Sequence, residues 1–145
     1  MKPDGTISSS WEREILAWAW LPAPLPLSWD LDKSVSRFRC HKMLVRHFEE
    51  ALARIHSDKA AWRTVGDFGG CFNWRTVRGS RDTLSSHAWA ISIDLDVCDN
   101  PQGKKPKVHP WVVGSFEMYG FLWGGTFKGA RVDAMHMEFA DLTQL

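Results

Sequence analysis

Two short segments carry the residue types for metal chemistry: Ser85-Ser86-His87-Ala88-Trp89-Ala90-Ile91-Ser92-Ile93-Asp94 and Asp133-Ala134-Met135-His136-Met137-Glu138. His87, Asp94 and His136 offer two imidazoles and one carboxylate. That mixture suits a catalytic zinc, which takes three protein ligands and leaves a fourth position open. Such an ion lowers the pKa of its water to about 7. Asp133, one short turn ahead of His136, is placed to take that proton and pass it to a leaving amine. Glu138 shares a strand face with His136 and is expected to orient it from behind.

Strands must position these groups. Ile91, Ile93 and Leu95 alternate with Ala90, Ser92 and Asp94, so the apolar set faces one side and Asp94 the other, among small residues. His87 has the opposite parity and belongs to the turn before the strand, or is re-aimed by a bulge. In the second segment Met135, Met137 and Phe139 form one face, and His136 and Glu138 the other. Upstream, the Gly-rich aromatic stretch 65–80 is no phosphate loop, because no Gly-Lys-Ser/Thr follows. It carries Arg75 and Arg78, which either bind a substrate carboxylate bidentately or sit in solvated ion pairs. The Gly79-Ser80 context favours Arg78 slightly. Spacing alone leaves open both a zinc site and an α+β domain without one.

The rest of the chain reads as scaffold. Residues 1–10 form a loose tail, and Trp11–Trp20 a short helix with Trp11, Ile15, Leu16 and Trp18 near one face. Leu21 to Leu27 alternates with prolines and is expected as an extended strap that buries its leucines. Asp30 or Asp32 opens the next element. His41–His56 is the clearest helix, with Leu44, Phe48, Leu52 and Ile55 at helical spacing. His41 and His47 lie on different faces of it, which argues against a shared metal. Asn100–Lys107 is a loop, either a rim over a cleft or a solvated connection. Pro110–Tyr119 is a helix with proline in its first turn, covered by Trp111, Val112, Phe116 and Met118. Phe121–Phe127 is a tight aromatic-glycine turn.

The 145 residues fit a single domain with 44% hydrophobic and 24% charged residues. A net charge of +1 gives no basis for nucleic-acid binding. The apolar run from Ile15 to Leu27 is too short and proline-broken to insert in a membrane. Three dispersed cysteines make neither a disulfide framework nor a zinc knuckle, and suit a reducing compartment. Nine tryptophans are unusual, and several lie close enough to the motifs to wall a substrate cleft.

Ser85-x-His87 followed by Asp94, then Asp133-x-x-His136, resembles the signature of the M15 zinc peptidases, the D-alanyl-D-alanine carboxypeptidases and L-alanyl-D-glutamate peptidase endolysins. The resemblance extends to Arg75-Thr76-Val77-Arg78-Gly79-Ser80, Asn100-Pro101, Phe121-Leu122-Trp123-Gly124-Gly125 and Met135 to Phe139, and covers roughly residues 22–140. It implies an α+β fold with a small central antiparallel sheet and helices, of the Hedgehog/DD-peptidase type. It implies one Zn2+ held by His87, Asp94 and His136, with Asp133 as base and Arg75 or Arg78 stabilising the oxyanion. The substrate would be peptidoglycan stem peptides, and Ser85, Trp89 and Trp123 are expected to face it. Ala90 and Ser92 stand where the family usually has Gly and Ala, a change that would narrow or repolarise the cleft. The N-terminus, Met1-Lys2-Pro3-Asp4-Gly5, shows no secretory signal. The expectation is therefore a monomeric phage-type endolysin, made in the cytoplasm and acting on the wall after release. The alternative is a non-catalytic zinc-containing wall-binding or structural protein on the same fold.

Overall fold

The computed structural model describes residues 7–145. Helix α1 (Ser9–Ile15) leads into the long hairpin β1 (Leu16–Leu27) and β2 (Asp30–His41). A 3-10 turn, Lys42–Leu44, opens α2 (Val45–Ser57), and α3 (Lys59–Arg63) follows. Next come β3 (Phe68–Gly70), a 3-10 turn at Ser86–Trp89, β4 (Ser92–Leu95) and α4 (Pro110–Met118). Strands β5 (Phe121–Trp123) and β6 (His136–Phe139) complete a six-stranded sheet of order β2-β1-β3-β4-β6-β5. The fold is α+β as expected, but the sheet is mixed. β1 and β3 run parallel through Leu27 and Phe68, while every other pairing is antiparallel.

The helix expected over Trp11–Trp20 is half strand. Ser8 caps α1 through its side chain, so Ser9 and Ser10 belong to a helix rather than a tail, and the helix stops at Ile15. From Leu16 the chain alternates instead: Ala19 and Leu21 are buried while Trp18 and Trp20 are exposed. Pairing of Leu16 through Trp20 with His41 back to Arg37 overrides the local helical pattern. The first six positions of the loose tail lie outside the described residues. The leucine-proline strap is the second half of β1. Leu21 and Leu25 are buried while Pro22 and Pro24 point outward, and the register with β2 slips between Trp20 and Leu25. Prolines lack the N–H a ladder needs, so the slip falls where they cluster.

Helix α2 buries Phe48, Ala51, Leu52 and Ile55 along one stripe, packed on β1 and α4. Its Phe48 ring meets Phe38 at 5.5 Å and Phe121 at 4.7 Å. Phe121 in turn meets Phe116 at 5.2 Å and Phe139 at 5.5 Å. One sheet face is thereby sealed, and the opposite face is left for polar groups. On α4, Val112 and Phe116 enter the core, whereas Trp111 and Met118 are exposed rather than apolar cover. Phe121–Trp123 is an edge strand on β6, so only Gly124–Thr126 forms the turn expected over Phe121–Phe127.

Candidate metal centre

His87 is delivered by the turn before β4. Ser85 caps that turn by accepting from the His87 N–H at 3.3 Å, and Ala90 ends it in the left-handed region at φ 56°. The chain then enters β4, whose Asp94 lies directly opposite His136 of β6, with Ser92 opposite Glu138. Paired residues of an antiparallel ladder share a face, so Asp94, His136 and Glu138 emerge together while Ile93 and Met137 pack below. Two glycines permit the close fit. A Cβ at Gly69 would come within 2.9 Å of Asp94 Cβ; one at Gly124 would collide with the Asp133 carbonyl and lie 3.1 Å from His136 Cβ.

The three candidate ligand groups converge. His87 Nε2 lies 3.1 Å from Asp94 Oδ2, His136 Nδ1 is 2.9 Å from Asp94 Oδ1, and the two ring nitrogens are 3.2 Å apart. The far ring nitrogens are each committed. His87 Nδ1 donates to the Cys71 carbonyl at 2.8 Å; His136 Nε2 meets Glu138 Oε2 at 3.1 Å and Ser86 Oγ at 3.2 Å. In the tautomers that keep both protons on these outer nitrogens, the imidazoles turn lone pairs toward one point beside a carboxylate. That arrangement repels itself unless a cation occupies the point. Four ligands at about 2.0–2.1 Å from a tetrahedral ion stand roughly 3.3 Å apart, close to the separations here. The residues present therefore fit a metal ion, and among the described residues they are the one such group.

The electrostatics agree. Burial would raise the Asp94 pKa, yet the His136 and His87 rings against it hold it well below the usual carboxylate range. Burial would lower the His136 pKa, but its contacts with Asp94 and Glu138 lift it to about 9. Contact with His136 keeps the Glu138 pKa low. Asp133 behaves oppositely. Burial and the Asp94 charge raise its pKa against the pull of His136, His87 and Arg75, and its Oδ1 is buried without a hydrogen-bond partner.

These groups floor a cleft of about 1040 Å³. Arg75, Arg78, Ser85, Trp89, Asp133 and Glu138 all line it with His87, Asp94 and His136. Trp123 is not among the lining residues; its indole donates to the Ala134 carbonyl at 2.8 Å and props the loop beneath His136. Ala90 and Ser92 are wholly buried and also outside the lining, so they neither narrow nor repolarise the cleft. Ser86, the Cys71 carbonyl, Phe127 and Arg131 belong to the site without a role assigned to them from the sequence, and Gln102 reaches the lining from the 100–107 loop read as a possible rim. Ser86 had a visible cue in its adjacency to His87; the others are brought in by loops of no regular pattern. His41 and His47 take no part: His41 caps Met43 N, and His47 meets the Gln144 carbonyl and the Phe139 ring.

An α+β domain that aims a His-Asp-His group and an unpartnered carboxylate into an arginine-rimmed cleft has the layout of a metal-dependent hydrolase. Residues 78–139, somewhat under half the chain, match the model of a family described as D-alanyl-D-alanine carboxypeptidase. The match contains His87, Asp94, Asp133 and His136 and supports an M15-family peptidase. No curated protein and no solved structure matches the chain.

Proposed function

We propose that the protein is a zinc peptidase that hydrolyses peptide bonds in peptidoglycan stem peptides, at the L-Ala–D-Glu or the D-Ala–D-Ala linkage. The observation that carries this is the Asp133 carboxylate, its buried Oδ1 without a hydrogen-bond partner, in the same cleft as the converging His87, Asp94 and His136. His87, Asp94 and His136 would hold one Zn2+, which when bound supplies Lewis acidity and acidifies a water at neutral pH. Asp133, with its raised pKa, takes the proton of the attacking water and returns it to the leaving amine. Glu138 and the Cys71 carbonyl keep the two imidazoles in the tautomers whose lone pairs face inward. Arg75 and Arg78 serve the developing oxyanion and the carboxylates with which stem peptides are dense. Ser85 and Trp89 form the wall against which the peptide lies.

The proposed setting is that of a monomeric, phage-type endolysin, made in the cytoplasm and acting on the wall after release. Among the described residues no helix is long and apolar enough to cross a membrane. Digestion of defined muropeptides, with products weighed by mass spectrometry, tests the proposal. One new amine should appear at one of the two bonds, chelation should abolish it, and added zinc should restore it. Full activity after complete metal removal, or no cleavage by the zinc-loaded protein, overturns it.

A further inference from the structure

The sheet face that carries the cleft carries a second feature. Trp18 and Trp20, alternating with the core residues Ala19 and Leu21, are 48% and 55% exposed on it. Across the ladder Trp18 pairs with Arg39 and Trp20 with Arg37. The Arg37 guanidinium lies 4.2 Å from the Trp18 ring centre and 5.5 Å from that of Trp20, which braces the indoles as a platform. Neither indole enters the core or lines the cleft.

Trp18 also borders a cavity of about 440 Å³ shared with Glu12, Arg13 and Arg39. Glu12 and Arg39 are ion-paired at 2.7 Å, which fixes a donor and an acceptor beside the ring. The cavity is joined to the cleft by aromatic contacts. Arg39 stacks 5.4 Å over Phe72, Phe72 meets Trp11 at 6.4 Å, and Trp11 meets the cleft-lining Trp89 at 6.4 Å. A flat indole next to a fixed guanidinium and carboxylate is what a sugar ring requires. Its C–H face stacks on the indole, and its hydroxyls bond to the charged pair. An apolar helix laid on this face would desolvate that ion pair and offer its charges no hydrogen bonds in return.

We propose that the Trp18–Trp20–Arg37 platform and the Glu12–Arg39 cavity bind the carbohydrate strand from which a stem peptide hangs, leading that peptide to the cleft. This rests on the peptidase reading for the identity of the strand, not for the chemistry of the site. The test uses the full chain and the double substitution Trp18→Ala, Trp20→Ala. Binding of a soluble β-1,4-linked N-acetylglucosamine oligosaccharide is measured by calorimetry, and cleavage is followed in parallel on a free stem peptide and on intact sacculi. The substitution should weaken oligosaccharide binding by about tenfold or more, and slow cleavage of sacculi by a similar factor. Cleavage of the free peptide should be unchanged. Tyrosine at both positions should restore binding, which a merely structural role would not require. Should the alanine variant unfold, Trp20→Tyr against Trp20→Lys makes the same comparison. The proposal is overturned if the wild type ignores the oligosaccharide, if the alanine variant binds it equally, or if both substrates slow together. Self-association that the same substitution removes would give the face to a second copy and also overturn it. A wild type that binds the sugar but cuts no stem peptide defeats the peptidase reading alone.

Discussion

Strands β4 and β1 present residues to the same sheet face, and they are built differently. β4 has four residues, and Ala90 before it and Asp96 after it both sit in the left-handed region at φ 56°. Those are the only non-glycine residues with positive φ among the described residues. β1 runs for twelve residues with no such turn, and absorbs its prolines by slipping register. A platform of exposed rings needs only alternation. A ligand set whose atoms must meet within 4.8 Å needs the chain to enter and leave abruptly, and backbone strain sits where that happens.

Breaking the short strand's output should have the largest effect. Asp94→Ala or His136→Ala should lower cleavage of every substrate, free peptide included, by at least about a thousandfold, with bound zinc lost in elemental analysis. Activity in a zinc-free variant would remove the distinction between the two strands' roles. Asp133→Asn should cost about 10²–10⁴ in kcat while zinc stays bound. A variant that retains zinc and turnover after this change uses another base, whereas a wild type that binds muropeptides yet never cuts them supports the non-catalytic alternative. Glu138→Gln replaces a carboxylate partner of His136 with a neutral one; zinc affinity, followed by competition with a chelating dye, should fall about 10–100-fold.

The turns flanking β4 give smaller effects that measure the strain. The Asp96 pKa is raised from 3.8 to about 6 by burial and by Asp99 and Asp67. A folded-state pKa above the unfolded one means the proton favours the fold. That contribution is complete below about pH 4 and lost as pH rises through about 6. Asp96→Asn should therefore stabilise the protein by about 1–2 kcal/mol above pH 6, with the gain fading toward pH 4, in denaturant titrations at both ends. Asn keeps an acceptor for Asn100 and tolerates the left-handed backbone. Ala90→Gly should add about 0.5–1 kcal/mol, because relief of the left-handed strain exceeds the entropy glycine gains when unfolded. No gain there would mean that Ala90 is held without strain, and the contrast between the strands would weaken.

Much of the site was legible because its residues obey local rules. A period of two placed Asp94 opposite Ile93, and His136 with Glu138 opposite Met137, and parity sent His87 to the preceding turn. The apolar stripe of α2 was equally plain, since each of its residues repeats within one helix. What misled was β1. Trp11, Ile15, Leu16 and Trp18 fit a helical face as well as a strand, and only pairing with β2, up to 25 positions away, selects the strand. Trp123 looked like a cleft wall and became a prop, because its indole found the Ala134 carbonyl.

The sequence by itself determined which side chains could ligate a metal and which faces of their strands they occupy, because residue chemistry and alternation are local. Tertiary structure decided everything that depends on meeting across the chain. It put the Cys71 carbonyl behind His87 and Ser86 behind His136, and brought Arg131 to the rim beside Arg75 and Arg78. It also set Trp18 and Trp20 on the face of the cleft. These groups are separated in sequence, and no spacing rule relates residues joined only by the register of a sheet.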